Sequence, residues 1–243
     1  AAAALALRML PVADGSDMMG SLRNPAAWNN VYGFRPSAGL VPGEARETVF
    51  QHRLSTDGPM ARDVADLERL LETLSDGAYR AGSGTAPARP RIGWLGDWGG
   101  AYAMAPGLLA QSEAALAEME GLGWTVEPVA PPFPARALWE AWVTLRQFAV
   151  AQALGGYWRD EVAQAQLPAQ ARYEISHGFA RTGAEVQWAS ETRAAWLAAA
   201  REMFGRFDAV VLPATQVWPF PVEDRWPDRI GGTVMDTYHR WME

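Results

Sequence analysis

Apolar side chains recur at helical spacing in three long stretches of the chain. The first follows Asp63, a residue type that often precedes the first turn of a helix, and its apolar positions are Val64, Leu67, Leu70, Leu71 and Leu74. This pattern predicts an amphipathic helix whose leucines face the core. The other two stretches run from Pro134 to about Arg159 and from Thr182 to about Arg206, and we predict a long helix for each.

A second group of segments has the pattern of buried strands. Arg91 to Leu95 and Trp124 to Val129 are predicted strands, and Pro106 to Leu122 between them is predicted to be a helix that ends at Gly123. A strand, a helix and a strand in this order predict a crossover connection with parallel pairing. Asp208 to Pro213 contains a continuous apolar run and is predicted to be a further buried strand. Together these elements predict an α/β fold with a sheet covered by helices.

Shorter segments have less regular patterns. Ala1 to Leu10 is predicted to be a buried helix, and the aromatic and β-branched residues of Val31 to Leu40 predict a short strand and a turn. Thr56 to Pro59 is predicted to be a turn, and Gly77 to Pro90 is predicted to be an exposed connection rather than a domain boundary. Near the end of the sequence, Val234 to Met242 is predicted to be helical.

Aromatic residues are spread across the two long predicted helices. We expect most of them to pack in the core, because aromatic residues at helical spacing usually do so. We expect a minority to line an apolar pocket, since ligand sites are mostly apolar with few polar groups. The residues concerned are Trp139, Trp142, Phe148, Tyr157, Trp158, Trp188 and Trp196.

Composition and charge bear on the class of function. The 243 residues are 49% hydrophobic and 20% charged, an ordinary globular composition that can bury a substantial core. A net charge of −7 without a basic run gives little support for binding to nucleic acid. The lack of cysteine excludes disulfides, thiolate nucleophiles and zinc–thiolate sites, and it fits a cytoplasmic enzyme. No apolar run has the length of a membrane span, and no metal-ligand spacing or nucleotide-binding motif occurs, so no membrane association, metal or organic cofactor is expected.

The stretch from Asp14 to Pro25 carries the candidate chemistry. It places two serines, two aspartates and small residues in a predicted loop between a helical segment and a proline. Gly15 and Gly20 allow backbone turns that a side chain would block, so that several N–H groups can converge on a point beside Ser21. Such a group of donors is what the oxyanion of an acyl-transfer reaction needs.

Two motifs in order carry a resemblance to a known family. Ser16 to Pro42 reads SDMMGSLRNPAAWNNVYGFRPSAGLVP and resembles the amidase signature, in which a GSDxGGSxRxPA loop runs into a VxGxKP segment. Gly58 to Leu67 resembles the GPMARTVADL segment that follows in that family, at the expected distance. The resemblance is therefore to the serine amidohydrolases of the amidase signature family. It implies a mixed, largely buried β-sheet covered by helices on both faces, and hydrolysis of a carboxylic amide.

The resemblance also implies roles for residues of the first motif. Ser21 would be the nucleophile that becomes acylated. The N–H groups that would form the oxyanion hole are those of Met18, Met19, Gly20 and Ser21. The supporting polar positions are Ser16, Asp17 and Arg23. Met19 stands where the family has the first glycine of Gly-Gly-Ser, and a side chain there forbids conformations that glycine alone reaches easily.

The activation of the serine is a larger departure from the family pattern. The family uses a Ser-Ser-Lys relay, with the lysine and a cis-peptide serine upstream of the nucleophile. All 21 basic residues of this chain are arginine, and guanidinium stays protonated and cannot serve as the base. Two members of the relay are therefore absent from the chain. We expect residues 1–243 to form one amidase signature domain that is incomplete at both ends.

Three hypotheses for the function stay open at this point. The first is hydrolysis of a small amide that is apolar or aromatic, because the chain has twelve tryptophans and few basic residues in its long helical region. The second is a noncatalytic amidase-like scaffold or subunit. The third is a subunit of an aminoacyl-tRNA amidotransferase, in which other chains would hold the tRNA. A homodimer is a possible assembly.

A Ser-His-Asp hydrolase is the rival mechanism. The chain has three histidines, His52, His177 and His239, and no Gly-x-Ser-x-Gly motif. No acidic partner pattern accompanies His52. We therefore predict that the three histidines are surface or loop residues without a catalytic role.

Overall fold

The computed structural model describes residues 1–43 and 54–242. The first part of the chain forms α1 (Ala2–Ala6), β1 (Val12–Asp17), α2 (Arg23–Trp28), β2 (Tyr32–Gly33), β3 (Thr56–Ala61) and α3 (Val64–Leu74). The middle part forms β4 (Arg91–Trp94), α4 (Leu108–Gly121), β5 (Thr125–Pro128), α5 (Ala135–Trp158), α6 (Glu161–Gln166), α7 (Ala169–Ala180) and α8 (Gly183–Phe204). The last part forms β6 (Ala209–Val211), β7 (Arg229–Ile230), β8 (Thr233–Val234) and a 3₁₀ helix (Arg240–Met242).

The chain divides into two compact units. Unit 1 comprises Ala1–Ala88, Ala103–Ala115 and Leu212–Glu243, and unit 2 comprises Arg89–Tyr102 and Leu116–Val211. Both units contain helices and strands, so the predicted α/β class is confirmed. The predicted connection from Gly77 to Pro90 is exposed over most of its length, and one limit between the units, at Ala88, falls inside it.

The sheet of unit 1 has the strand order β1-β3-β2, with both pairs antiparallel. The prediction of a turn from Thr56 to Pro59 is wrong, because these residues lie in β3, the central strand. Pairing with a strand on each side overrides the local turn preference of Asp-Gly-Pro. Pro59 is tolerated there because it pairs through its carbonyl, which accepts a hydrogen bond of 3.0 Å from the N–H of Phe34, just past the end of β2.

The first helix packs on this sheet over a shorter length than predicted. Ala2 and Leu5 of α1 are buried in a cluster that also contains Leu22, Ala26 and Met60. The helix ends at Ala6, Arg8 has a positive φ of 60°, and Leu7 and Met9 are exposed. The expectation of a buried helix from Ala1 to Leu10 therefore holds for its first half.

The prediction of a helix from Val234 to Met242 is wrong except for its last turn, and a β-hairpin ends at the first residue of this segment. β7 and β8 pair antiparallel across Gly231 and Gly232, and the N–H of Met235 continues the pairing with a 2.8 Å bond to the carbonyl of Asp228. The helical pattern from Val234 to Met242 forms a single 3₁₀ turn at its end. There Trp241 stacks on Trp28, with ring centroids 5.4 Å apart and planes 14° apart. The two rings belong to a second apolar cluster, the Trp28 cluster, which also contains Val217, Ile230 and Met235.

The predicted crossover from β4 to β5, two strands of unit 2, is confirmed. β4 is the central strand of a parallel sheet with the order β5-β4-β6, and α4 lies between β4 and β5 in the chain. β6 is half-buried along its length rather than fully buried. The core of this unit contains Leu95, Trp98, Met203 and Phe207.

The long helices of unit 2 match the predicted stretches. α8 begins with a capping box in which the Thr182 hydroxyl accepts from the N–H of Glu185, and the Glu185 carboxylate accepts from the N–H of Thr182. Trp196 packs on the core, as expected for most of the aromatics. Tyr157 and Trp188 do not follow that expectation, because 56% and 41% of their surfaces are exposed.

Candidate functional site

The candidate site is the turn between β1 and α2 in unit 1. β1 continues through Asp17, so the predicted loop begins only at Met18, and Gly15 lies in the strand rather than in a turn. α2 begins at Arg23. Ser21 lies in the short turn between them and is exposed, and its hydroxyl has no hydrogen-bond partner in residues 1–43 or 54–242. The sequence motif therefore places an accessible hydroxyl at the end of a paired strand.

The backbone conformation of the turn depends on Gly20. This residue has a φ of 95°, and a Cβ atom there would lie 2.7 Å from Oδ1 of Asn24. Glycine is needed on both counts, because L side chains rarely adopt this φ and the space is filled by the buried Asn24. Met19 has a negative φ, which a residue with a side chain adopts without strain. The backbone at this position therefore does not require the glycine that the family has there.

The Asp17 carboxylate holds the turn together. It is fully buried and accepts hydrogen bonds from the N–H groups of Gly20 at 2.7 Å and Leu22 at 3.2 Å. The Arg23 guanidinium donates to both carboxylate oxygens through Nε and Nη2, each at 2.9 Å. Burial alone would raise the pKa of Asp17, but the Arg23 guanidinium and the two backbone donors outweigh it and hold the pKa below its ordinary value.

Arg35 is a further member of this network that the sequence analysis did not single out. Its Nε donates to the carbonyl of Asp17 at 3.1 Å, and its Nη2 donates to the carbonyl of Leu54 at 2.8 Å. Nε also lies 3.7 Å from Oδ1 of Asp17. Arg35 therefore ties the end of β1 to the residues that lead into β3. The available signal was its position in the second half of the motif, where the family pattern VxGxKP has a basic residue.

An apolar contact fixes the other side of the turn. Leu22, next to Ser21, has 1% of its surface exposed and packs with Leu5, Ala26 and Met60. The Ser21 backbone is thus held between a buried leucine on one side and the Asp17 carboxylate on the other. A turn held in this way keeps the Ser21 backbone in a fixed position.

The predicted oxyanion donors have different partners. The N–H of Gly20 is donated to Asp17. The N–H groups of Met19 and Ser21 have no acceptor within the described part of the chain. These two amides are therefore available to an incoming oxygen, whereas that of Gly20 fixes the turn.

The predicted supporting residues are brought together only in part. Asp17 and Arg23 form the network described above. Ser16 is exposed on β1, opposite Asp57 of β3, and its hydroxyl makes no hydrogen bond to any residue that the structure describes.

Neither of the two described histidines, His177 and His239, belongs to this turn network. His177 is exposed on α7, with Nδ1 2.8 Å from the carbonyl oxygen of Tyr173. His239 lies in the turn that precedes the last 3₁₀ helix, which agrees with the predicted surface or loop position, but it is fully buried, with Nδ1 2.7 Å from Oγ1 of Thr237. His52 lies outside the described residues.

The described residues were also compared with the requirements of a metal site and of a membrane-spanning helix. No cluster of three or more His, Cys, Asp or Glu side chains among them is placed to hold a metal ion. No helix in the same part of the chain is both long enough and apolar enough to cross a bilayer.

Two of the solved structures with a similar fold are described as amidases. A bacterial aryl acylamidase of the amidase signature enzymes superposes with a TM-score of 0.85 over 100% of this chain and 54% of its own, at 23% sequence identity. A second structure, described as an amidase, has a TM-score of 0.84 over 99% of this chain and 53% of its own, at 22% identity. This chain therefore spans about half the length of these proteins, and the likeness at such identity is one of fold.

Sequence comparison finds relatives and a family. The chain is 34% identical over 149 residues to a subunit of the glutamyl-tRNA(Gln) amidotransferase of Symbiobacterium thermophilum, and the match covers 56% of this chain and 30% of that protein. The corresponding subunit of Paraburkholderia xenovorans is 33% identical over 153 residues, 54% of this chain and 30% of that protein. The sequence profile of the family described as Amidase matches residues 1–242. The match over nearly the whole chain, together with the fold, shows that this chain belongs to the Amidase family, the amidase signature enzymes.

Proposed function

We propose that this chain carries the nucleophile of a serine amidohydrolase that cleaves a carboxylic amide through an acyl-enzyme. The observation that carries the proposal is the exposed Ser21 in a turn held by Asp17 and Leu22, in a chain that belongs to the Amidase family. A fixed turn with an accessible hydroxyl and two available N–H groups is the arrangement that acyl transfer requires.

The reaction would proceed in two steps. Oγ of Ser21 would form a bond to the carbonyl carbon and lose its proton to a base, and the carbonyl oxygen would become an oxyanion. We place the oxyanion hole in the Met18 to Ser21 segment, with the N–H groups of Met19 and Ser21 as its first donors. The C–N bond would then break as the leaving nitrogen takes the proton back from the protonated base, and the neutral amine would depart. Water would hydrolyse the Ser21 ester, release the acid and restore the hydroxyl.

The base that takes the Ser21 proton would come from sequence outside residues 1–243. The chain contains no lysine, and a guanidinium cannot accept a proton at neutral pH. Arg23 and Arg35, the cations near the turn, have the separate role of holding Asp17. The lysine and the second serine of the family relay are the groups expected to supply the base.

The substrate we propose is a small linear amide that is apolar or aromatic near the scissile bond. Twelve tryptophans and a net charge of −7 favour rings and alkyl groups over carboxylates. One of the similar structures is described as an aryl acylamidase, which makes anilides the first compounds to assay. The cytoplasmic location and the homodimer stay predictions from the sequence.

Labelling of the nucleophile tests the proposal. The full-length protein is treated with a fluorophosphonate and the adduct is mapped by mass spectrometry. We expect the label on Ser21 and none after Ser21→Ala. A label on the nearby exposed Ser16 with Ser21 untouched would refute the assignment, and a protein that takes no label and has no turnover would support the noncatalytic scaffold.

A second candidate function is favoured by the sequence relatives. Two relatives at 33–34% identity are subunits of glutamyl-tRNA(Gln) amidotransferases, so this chain could belong to a protein that releases ammonia from an amide for transfer. The acidic balance of the chain would leave the tRNA to other chains of the assembly. Ser21-dependent amidation of glutamyl-tRNA by the purified protein with its partners would establish this function, and hydrolysis of simple amides without such amidation would exclude it.

A further inference from the structure

Unit 2 contains a pocket whose lining residues all belong to that unit. Its volume is about 380 Å³, within the usual range for small-molecule sites. The lining comes from α5 and from the segment that starts α8. We propose that this pocket binds an uncharged, planar aromatic molecule with a hydrogen-bond acceptor such as a carbonyl oxygen. The walls, the hydroxyl of Thr144 and the charges of the pocket each support this ligand class.

The walls are aromatic and apolar. Trp139 and Val143 lie one turn apart on α5, and Trp188 lines the pocket from α8. Trp142 stacks on Trp139, with centroids 5.5 Å apart and planes 24° apart, and so supports one wall. Trp188 leaves 41% of its surface exposed, although a tryptophan of a folded domain is usually well buried. A flat ring bound in this pocket would cover that surface.

A threonine hydroxyl that no group in the described part of the chain bonds is open to the same pocket. Thr144 of α5 has 4% of its surface exposed, and its hydroxyl makes no hydrogen bond within residues 1–43 and 54–242. Threonines in helices commonly bond a backbone carbonyl one turn earlier, which Thr144 does not do. Because this hydroxyl faces the pocket and has no partner among the described residues, it can donate a hydrogen bond to an acceptor on a bound molecule in place of water.

Arg181 supplies a second, rigid donor. Its Nε and Nη2 donate to Oε1 of the buried Gln147 at 3.0 and 2.7 Å, and Nη1 donates to Glu185 at 2.9 Å. These bonds use three of the five guanidinium N–H groups and fix the plane of the side chain. The remaining N–H groups of this lining residue suit the same acceptor as the Thr144 hydroxyl.

The charges favour a neutral ligand. The pocket is lined by one guanidinium and two carboxylates, Glu140 and Glu185, which disfavours an anion. A cationic ligand would gain little electrostatic attraction, because both carboxylates already have partners. Arg136 pairs with Glu140 at 2.7 Å, and Glu185 is bonded to both Arg181 and Thr182. An aromatic amide or a similar carbonyl compound carries neither charge and offers a carbonyl oxygen as the acceptor.

Binding is measured without catalysis, so its outcome is independent of the role proposed for Ser21. A ¹⁹F NMR titration with 4-fluorobenzamide on full-length Ser21→Ala protein gives the Kd. Thr144→Val, which keeps the shape and removes the hydroxyl, is expected to weaken binding about 3–10-fold. Trp188→Ala is expected to weaken it by a similar factor, about 3–10-fold. The matched controls Thr73→Val and Trp218→Ala, at positions in unit 1, are expected to leave the Kd unchanged.

A second arm uses the same protein with altered ligands, so that it does not depend on the folding of the pocket variants. We expect 4-fluorobenzoate and 4-fluorobenzylamine to bind more weakly than 4-fluorobenzamide, and cyclohexanecarboxamide to compete poorly. Circular dichroism melts establish that each variant is folded, and Trp188→Phe keeps a ring if Trp188→Ala is unstable. An unchanged Kd in folded Thr144→Val and Trp188→Ala would overturn the proposal, as would equal affinity for the benzoate.

Discussion

Asp17 accepts four hydrogen bonds from the turn that carries Ser21 and from the side chain that follows it. An amide at this position has one acceptor oxygen and a nitrogen that would face donors, so part of the network would be lost. We expect Asp17→Asn to lower the free energy of unfolding of the full-length protein by about 2–4 kcal/mol and to lower acylation of Ser21. Urea denaturation and fluorophosphonate labelling measure the two effects, and an unchanged stability would show that the carboxylate is not the anchor of the turn.

The same residue gives the protein a pH dependence. Because its pKa is lowered on folding, Asp17 contributes stability that is present at neutral pH and is lost as pH falls through the ordinary aspartate range and toward the lowered value. The stability difference between wild type and Asp17→Asn should therefore shrink between about pH 7 and about pH 3. A difference that stays constant over this range would contradict the ion pair with Arg23.

Gly20 offers a second test at this scale. Alanine there would adopt a φ of 95° and would place its Cβ against Asn24. We expect Gly20→Ala to cost about 1–2 kcal/mol from the backbone alone, with a further loss from the contact. Gly20→Ala with Asn24→Ala should recover only the contact part. The control is Gly84→Ala, which has open space and no positive φ, and equal effects of the two alanines on the melting temperature would refute this account.

At the scale of elements, the close approach of α5 and α7 depends on Gly178. A Cβ on Gly178 would lie 2.1 Å from the carbonyl oxygen of Gln147 and 2.6 Å from Cβ of Ala151. Gly178→Ala should destabilise unit 2 by about 1–3 kcal/mol or more, because the helices must separate. Gly156→Ala, in α5 with nothing nearby, should instead stabilise by about 0.5–1 kcal/mol. Denaturant midpoints of the two variants should therefore move in opposite directions.

Elements with a strong local pattern were predictable from the sequence. α3 with its Asp63 cap, the crossover from β4 to β5 and the long helices α5 and α8 all follow from periodicity and capping residues. β3 and the β7–β8 hairpin were not, because pairing with strands elsewhere decided their conformation. Prediction from one sequence cannot see such pairing.

The candidate site shows the same division. The motif located Ser21, Asp17 and Arg23, which lie within six residues of one another in the sequence. The hydrogen bonds from Arg35 to Asp17 and Leu54 join residues that are 18 and 19 positions apart in the sequence. No local sequence pattern predicts bonds over such separations. The commitment of the Gly20 amide to Asp17 likewise required the geometry of the turn.

At the scale of the whole molecule, we expect residues 1–243 alone to hydrolyse amides no faster than background. A serine hydroxyl is a weak nucleophile without a base, and loss of a relay member commonly costs about 10⁴-fold or more in kcat. The measurement is amide turnover by this span, purified with and without the upstream segment of its protein. Turnover above background that disappears with Ser21→Ala would mean that a local base exists, and His52, His177 and His239 would be the first residues to replace.

The division into units has a consequence for biosynthesis. Unit 1 is assembled from three separate segments, the last of which begins at Leu212, whereas unit 2 is complete at Val211. A ribosome makes a chain from its N-terminus, so the parallel sheet of unit 2 can form while the Trp28 cluster still lacks Trp241. During synthesis the turn with Ser21 would thus belong to an unfinished unit. Strands β1 and β3 and the side chains of Asp17, Leu22 and Arg23 all precede unit 2 in the chain, so the Ser21 turn can form early. The apolar cluster of the same unit that contains Trp241 is completed only after unit 2 has been made.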